Sequence, residues 1–590
     1  MQKAFNKMKQ FLSLLPLATA LFYTQPVKAA EITIPLRNQV STQKTQVGNL
    51  PLEQRIIQQM PQEEKAASQA LSTSYNIVEE NGKLYALAER NGQEFFKREV
   101  KPEVADTIKR LRQPSTFISS NFWDVEYVFD PKIQATDHDL LIKLNGKAPT
   151  QFKHTPATLA QAKETLVKAG PNAKSFLQAI NSLSHEKEGA DLVHAGIFYL
   201  ANMKSHGYDL RTPQGMNHIP DTATFTVKGF YENALYAHRA WKEFSWGREV
   251  PREEFLQTLL PARATQEPLP QTRRLIYEAL KPTASKLKTA EEALRFVNQI
   301  SFATVKYEPT AFEDRSSQLR FLSCGGRCED QTDQMVELGT AIGLPVVSVS
   351  VPWWGNANDN HVWAGVQTPE RTLSVNSGDP AREERLDFNY NSSAPKVFIH
   401  SAFSARKDAT PKFTTTTDLT VPASNLEGKA GLFVFNYGSP REVDSAESQN
   451  GKISFKNVGN NNILYIVGRA QNGKVEQLTD PFLVTPKGPT TFYSTHPHQA
   501  KNHGMYRVTG EDIKQPLEPT GHVIAAWYDG KYIPMNPGNP LPARGEEGKR
   551  YLENVHLAPN VIYHIFRVEN NQGAPHGRPF VIENGKVVAH

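Results

Sequence analysis

The only two cysteines of the 590-residue chain, Cys324 and Cys328, stand four positions apart in the stretch FLSCGGRCEDQ. Three chemistries are open to them. A disulfide needs the two Cα atoms within about 4.4–6.8 Å; the intervening Gly-Gly permits that turn, although so small a loop stabilises little. A structural zinc site needs four ligands, and no second cysteine pair exists to complete one. The third possibility is one nucleophilic thiol with a bystander. Cys328 follows a Gly-Gly-Arg turn and opens a run with Met335, Val336 and Leu338, a pattern that predicts a helix ending near Gly343, before Pro345. A thiol at a helix N-terminus meets the positive end of the dipole and unpaired N–H groups, which favour the thiolate. Glu329 and Asp330 oppose this, because negative charge beside a thiol raises its pKa.

Partners for such a thiol follow in order. LPVVSVSV reads as a strand, NDNHVWAGV as a second with His361 near its start, and TLSVNSGDP as a third ending at Asp379. An imidazole that activates a thiol, itself oriented by a carboxylate, is the machinery of acyl transfer, so Cys328, His361 and Asp379 are the candidate catalytic residues. Asn376 is the reserve for the orienting role. Taken singly, His361 is also consistent with a hydrogen-bonded core histidine, and Asp379 before Pro380 with an ordinary turn. Trp353, Trp354 and Trp363 either line a cleft or pack in a core. His496, His498 and His503 have no acidic or cysteine ligand adjacent and read as a solvated loop, as does His138 between Asp137 and Asp139.

These pieces resemble the core of the transglutaminase-like superfamily. Gly326-Arg327-Cys328-Glu329-Asp330 is similar to its nucleophile motif, Gly343-Leu344-Pro345 to the exit from its helix, Asn360-His361-Val362-Trp363 to its histidine strand, and Asp379-Pro380 to its acid. VKYEPT at 305–310 is similar to the strand before the nucleophile, and REEFLQTLLPARATQEPL at 252–269 to the helical lead-in of exported bacterial members, so the likeness covers about residues 250–390. It implies a papain-like core of a helix and an antiparallel sheet, with Cys328 as nucleophile, His361 as base and Asp379 as orienter. It also implies an exported acyl-transfer enzyme acting on peptide, protein or cell-wall amides, a peptidase or amidase rather than a crosslinking transferase. Family histidine strands commonly continue Ala-Trp-Val-Glu-Val; Val362-Trp363-Ala364-Gly365-Val366 stands here and leaves a smaller surface beside His361. This chemistry requires no cofactor and no metal, and no calcium-loop pattern occurs. The competing reading is a non-catalytic surface-binding protein that keeps the core as a scaffold.

The remaining chain must hold that constellation in place. Lys3, Lys7 and Lys9 precede an apolar run from Phe11 to about Tyr23 and small residues at Ala29, the pattern of a cleaved Sec-type signal, which points to a periplasmic or secreted protein. That run is shorter than the roughly 20 residues a spanning helix needs, and no later segment is apolar enough for an integral membrane span. The net charge of +5 is scattered, with no basic block or nucleic-acid motif, so a nucleic-acid partner is not expected. Residues 30–155 read as a mixed region containing short alternating runs such as DVEYVFD and HDLLIKLNGK. Residues 156–398 combine a helical lead-in, with a capping box at Thr289 and Glu292, and the catalytic core. Beyond residue 398, short β-branched and aromatic runs punctuated by Asn450-Gly451, Asn472-Gly473, Asp529-Gly530 and Asn584-Gly585 predict β-sandwich-like modules at 399–500 and 501–590. The expected fold class is α+β and multidomain, without internal repeats.

Overall fold

The computed structural model describes residues 72–590 apart from 113–129, 204–206, 213–214, 310–314, 369–371, 378–385, 387–392, 423–427, 472–473, 494, 501–502, 537–539 and 570–571. The signal segment, DVEYVFD up to Phe129, Asp379 and Asn472-Gly473 lie outside the described residues. Among the described residues no helix is long and apolar enough to cross a membrane. The architecture is α+β and multidomain.

The N-terminal region begins as an antiparallel sheet of β1 (Thr73–Glu80), β2 (Lys83–Arg90) and β3 (Gln93–Val100), followed by α1 (Pro102–Leu111). Its two turns are Asn81-Gly82 and Asn91-Gly92, all four residues at positive φ, as type I′ hairpins demand. HDLLIKLNGK, read as an alternating run, is instead largely helical, forming α2 (Asp139–Lys147). Leu141, Leu144 and Asn145 are buried while Ile142 is exposed, so the spacing that matters is three and four, not two.

Helices α3 (Pro156–Ala169), α4 (Ala173–Leu183), α5 (Gly189–Asn202), α6 (Val227–Glu243), α7 (Arg273–Ala284) and α8 (Ala290–Thr304) form the lead-in. A hairpin of β4 (Gly207–Thr212) and β5 (Gly215–Pro220), absent from the sequence reading, interrupts it. Thr289 caps α8 by accepting from the Glu292 N–H at 3.2 Å. A short parallel pair, β6 (Lys306–Tyr307) and β7 (Gly325–Gly326), flanks α9 (Ser317–Ser323), and α10 (Cys328–Ala341) follows. The chain leaves α10 through Gly343 at φ +74°, with Leu344 N–H on Gly339 O at 3.0 Å and Gly343 N–H on Thr340 O at 3.2 Å, a Schellman exit.

Next comes an antiparallel sheet built from β8 (Val346–Val351), β9 (His361–Gln367), β10 (Thr372–Val375), β11 (Phe398–Ser401) and β12 (Ser404–Asp408), in the order β10-β9-β8-β11-β12. This sheet runs on to Asp408, past residue 398 where the sequence changes character. Its two faces serve different cores. Val346, Ala364, Val366, Leu373 and Val375 join α10 in a core that reaches from Ala86 to Leu386, whereas Val347, Val349, Val351 and Trp363 pack with Trp354 and Phe413. The N-terminal sheet, the helices and α10 therefore share one interior.

Two further β units complete the chain. The first comprises β13 (Thr416–Pro422), β14 (Lys429–Asn436), β15 (Ser439–Glu447), β16 (Lys452–Gly459), β17 (Ile463–Gln471), β18 (Lys474–Gln477), β19 (Phe482–Thr485) and β20 (Gly488–Phe492); β13 pairs with β16, facing the sheet β15-β14-β17-β19-β20. The second has β21 (Gly504–Thr509), β22 (Gly521–Tyr528), β23 (Lys531–Pro534), β24 (Leu541–Pro542), β25 (Tyr551–Leu557), β26 (Ile562–Glu569), β27 (Gln572–Glu583) and β28 (Lys586–Ala589), with β21 on β25 and the sheet β23-β22-β26-β27-β28. In β14, Leu432 and Val434 fill the first unit's own core, while Phe433 and Phe435 turn outward to meet Trp527, Ile562 and Val581 of the second. Strand alternation thus joins the two units through an apolar seam.

Helix α10 is tied down by charge as well as by apolar contact. Arg320 of α9, wholly buried, pairs with Glu337 and lies 3.8 Å from Asp333, both on α10, and donates to Arg315 O at 2.5 Å. Arg320→Met leaves two carboxylates buried without their cation, and breaking such a set costs about 3–5 kcal/mol; denaturant unfolding should show a loss of that size.

Candidate active site

The Gly-Gly before Cys328 does not form a turn. Gly325 and Gly326 are β7, extended alongside β6, with Lys306 N–H on Cys324 O at 2.8 Å and Glu308 N–H on Gly326 O at 2.7 Å. Glycine is required there by crowding: a Cβ on Gly325 would strike the Glu308 carboxylate, and one on Gly326 the Asp330 side chain. Asp330 accepts from the Arg327 N–H at 2.9 Å and the Arg315 N–H at 2.7 Å, so its carboxylate reaches back to the residue that precedes α10 and starts the helix at Cys328. Arg90 of β2 fixes the other side, bonding Glu308 at 2.6 Å and Ser323 O at 2.7 Å.

This framework separates the two cysteines, and both are free thiols. Cys324 is completely buried at the left-handed end of α9 (φ +54°), with Arg112 of the N-terminal region 3.8 Å from its sulfur. Cys328 opens into a cleft of about 720 Å³, whose walls include Tyr307, Glu329, Trp354, His361, Asn376 and Tyr437. Its sulfur lies 3.2 Å from Glu329 Oε2 and is approached by the backbone N–H of Val362, the residue after His361. The expected contest at the helix start goes against the thiolate. Burial, then the Glu329 charge, pushes the Cys328 thiol up to about 12, and the Val362 N–H offsets this only in part.

His361 is the first residue of β9, paired with Val351 of β8. Its Nε2 lies 3.0 Å from Asn376 Oδ1, just beyond the end of β10. An amide oxygen can only accept, so Nε2 carries the ring proton and Nδ1 keeps the lone pair. The ring lies roughly parallel to those of Trp354 (centroids 6.5 Å apart) and the buried Trp363 (5.9 Å). Burial lowers the imidazole below its usual value, with Asn376 working against that shift, so the resting ring is the neutral base. Asp379 lies outside the described residues; the group on His361 Nε2 is Asn376, the reserve candidate. Trp354 and Trp363 both belong to the site, whereas Trp353 packs on the first β unit's core beside Arg441.

The loop from Pro352 to Asn360, between β8 and β9, brings Trp354 and Asp359 into the cleft, and the β units hold it. Asn436 at the end of β14 donates to Trp354 O at 3.1 Å and Ala357 O at 2.8 Å and accepts from the Asp359 N–H at 3.1 Å. Arg578 in β27, 2 % exposed, donates to Gly355 O at 2.5 Å, Ala357 O at 3.2 Å, Phe435 O at 2.8 Å and Asn358 Oδ1 at 3.1 Å. Tyr437, next to Asn436, forms part of the cleft wall. Sequence reading missed all three, since nothing in NYG or HGRPF marks a contact some 80 to 220 positions away.

The other singled-out histidines stay outside this site. His496 stacks edge-on against Tyr528 at 4.7 Å, and His138 bonds Ala135 O at 3.1 Å. The one described group with metal-ligand spacing is Glu188, Asp191 and His238. Asp191 already takes Arg252, so a guanidinium supplies the positive charge there. Compared with known proteins, the chain matches no family model and no curated protein.

The raised thiol predicts slow alkylation by iodoacetamide near neutral pH, with a rate still climbing beyond about pH 9, where an ordinary thiol has levelled off. Glu329→Gln removes the contacting charge and should raise the near-neutral rate about tenfold, one pK unit's worth; labelling followed by peptide mass mapping reads both. Arg578→Met leaves the cleft residues in place but strips the loop carbonyls of their donor. Hydrogen exchange across 352–360 should quicken, and stability should fall by about 1–3 kcal/mol.

Proposed function

We propose that the chain is an exported, cysteine-dependent acyl-transfer enzyme with a transglutaminase-like, papain-like core, acting on peptide, protein or cell-wall amides with water as the usual acceptor. The observation that carries this reading is the meeting of Cys328, at the first position of α10, with the start of β9, where His361 donates from Nε2 to Asn376. The motif order GGRCED, NHVW and GDP supports the family reading, and the N-terminal Lys-plus-apolar pattern supports export.

In this mechanism His361 Nδ1 takes the Cys328 thiol proton as sulfur attacks the amide carbon. The developing oxyanion is met by the Cys328 backbone N–H, with the hydroxyl of Tyr307, in the cleft wall, as the second donor. Collapse breaks the C–N bond and leaves a thioester, while His361 returns the proton to the leaving amine nitrogen. Water, deprotonated by His361, then attacks the thioester carbon; the carboxylic acid departs and the proton goes back to sulfur. A primary amine in place of water would give a new amide. Because the resting thiol and imidazole are both neutral, proton transfer accompanies attack, and substrate must draw the thiol away from Glu329.

That Glu329 contact also favours a second reading, a non-catalytic protein that keeps the core as a scaffold and binds through its β units. Incubating the protein with a mixture of blocked peptide amides and a labelled primary amine separates the readings. The enzyme reading expects released acid, little amine incorporation, complete loss in Cys328→Ala, and a roughly ten- to hundredfold fall in kcat for Asn376→Ala. Equal turnover by wild type and Cys328→Ala would contradict it.

A further inference from the structure

A second cavity, of about 640 Å³, lies against the cysteine cleft and shares Arg327, Glu329 and Asn360 with it. Its floor comes from the sheet that carries His361. Ser348 and Ser350 of β8 face it together with His400 of β11, and Ser350 Oγ sits 2.6 Å from His400 Nε2. Three features are unexplained by packing. Ser348 is 1 % exposed, yet its hydroxyl has no hydrogen-bond partner among the described residues. Three arginines, Arg263, Arg327 and Arg406, line the space against the single carboxylate of Glu329. Of these, Arg263 is committed to Asp221 and Arg327 lies 3.8 Å from Glu329, whereas Arg406 makes no ion pair among the described residues. Arg406 instead lies over the Phe398 ring, 3.9 Å from its centroid, a flat support that leaves the guanidinium edge to a ligand.

We infer that this cavity is the subsite for a carboxylate of the substrate, held by Arg406 and the Ser348 hydroxyl, so that the acyl donor is an acidic peptide. The inference rests on the reading of Cys328 as nucleophile, because the cavity joins the cleft that holds the thiol along Arg327, Glu329 and Asn360. A carboxylate would supply the acceptor that, among the described residues, neither Arg406 nor the Ser348 O–H finds, and a neutral amide would not match the cation's charge. The carboxylate can be a side chain or a chain terminus; both present the same two oxygens.

The test uses the full chain with Cys328→Ala, so that binding is read without turnover. Three probes are titrated by calorimetry: acetyl-Ala-Glu-Ala-amide, the neutral acetyl-Ala-Gln-Ala-amide, and acetyl-Ala-Gln-Ala with a free terminus. The subsite predicts that at least one carboxylate probe binds about tenfold or more tightly than the neutral one. Which of the two does so identifies the source. The preference should vanish when Arg406→Gln is added and weaken with Ser348→Ala or rising salt. Equal binding of all three probes, or a preference that survives Arg406→Gln, overturns the subsite. Arg406 is exposed, so its replacement should not unfold the protein. A preference that follows Arg406 in binding, in a wild type that turns over none of the amides, sinks the catalytic reading and keeps the subsite.

Discussion

A guanidinium buried among carbonyls does much to hold the site together. Arg578 makes no ion pair among the described residues; burial lowers its pKa to about 10, and it is kept in place by oxygens of Gly355, Ala357, Asn358 and Phe435, with its Nε on His590 O at 3.0 Å. A buried cation without a carboxylate is tolerable only when its hydrogen-bonding positions are filled. Those acceptors belong to three parts of the chain: the loop beside the cleft, the first β unit and the C-terminus. The loop cannot shift, nor either unit swing away, without leaving that charge unsatisfied. The apolar seam of Phe435, Trp527, Ile562 and Val581 excludes water around it.

The same logic of enforced proximity governs Cys328. Two glycines admit Glu308 and Asp330 to the backbone, and Asp330 then starts the helix at Cys328. The cost of placing the thiol in a part-buried wall beside Glu329 is a resting state that does not ionise. Papain-type sites reach thiol pKa values of about 3–4 through a preformed ion pair; this one has a neutral imidazole whose tautomer is set by Asn376. Its reactivity therefore depends on what substrate does to Glu329, and the cationic subsite beyond Arg327 lies on the side where that change would be made.

Local signals in the sequence located the helix that starts at Cys328, its end at Gly343, the strand of His361 and the turn pairs at Asn450-Gly451, Asp529-Gly530 and Asn584-Gly585, each a matter of a few neighbouring residues. Asn376 was legible only as a reserve, since one polar residue after a strand looks like another until the imidazole is placed. The Gly-Gly was legible as permissive backbone, but its reason is contact with Glu308, 17 positions before Gly325, and with the Asp330 side chain folded back from the first turn of α10. The N-terminal sheet carried its own evidence in Asn81-Gly82 and Asn91-Gly92, the same turn chemistry recognised elsewhere. HDLLIKLNGK misled because its apolar residues satisfy both periods, and burial of Leu141 and Leu144 decides for the helix. No pattern foretold that β11 and β12 would extend the sheet that carries His361 or that Arg578 would brace its loop, because register and long-range hydrogen bonds are properties of the assembled fold.

Acyl transfer at this site requires Cys328 to form a covalent bond to an acyl group with His361 as its base. Rapid quenching of the protein with an activated ester, followed by peptide mapping, tests it most directly. The expected outcome is a thioester on Cys328 that is missing in His361→Ala, with Cys324 unmodified in its buried position. An adduct of equal yield in His361→Ala, or one confined to Cys324 or to surface lysines, would contradict it.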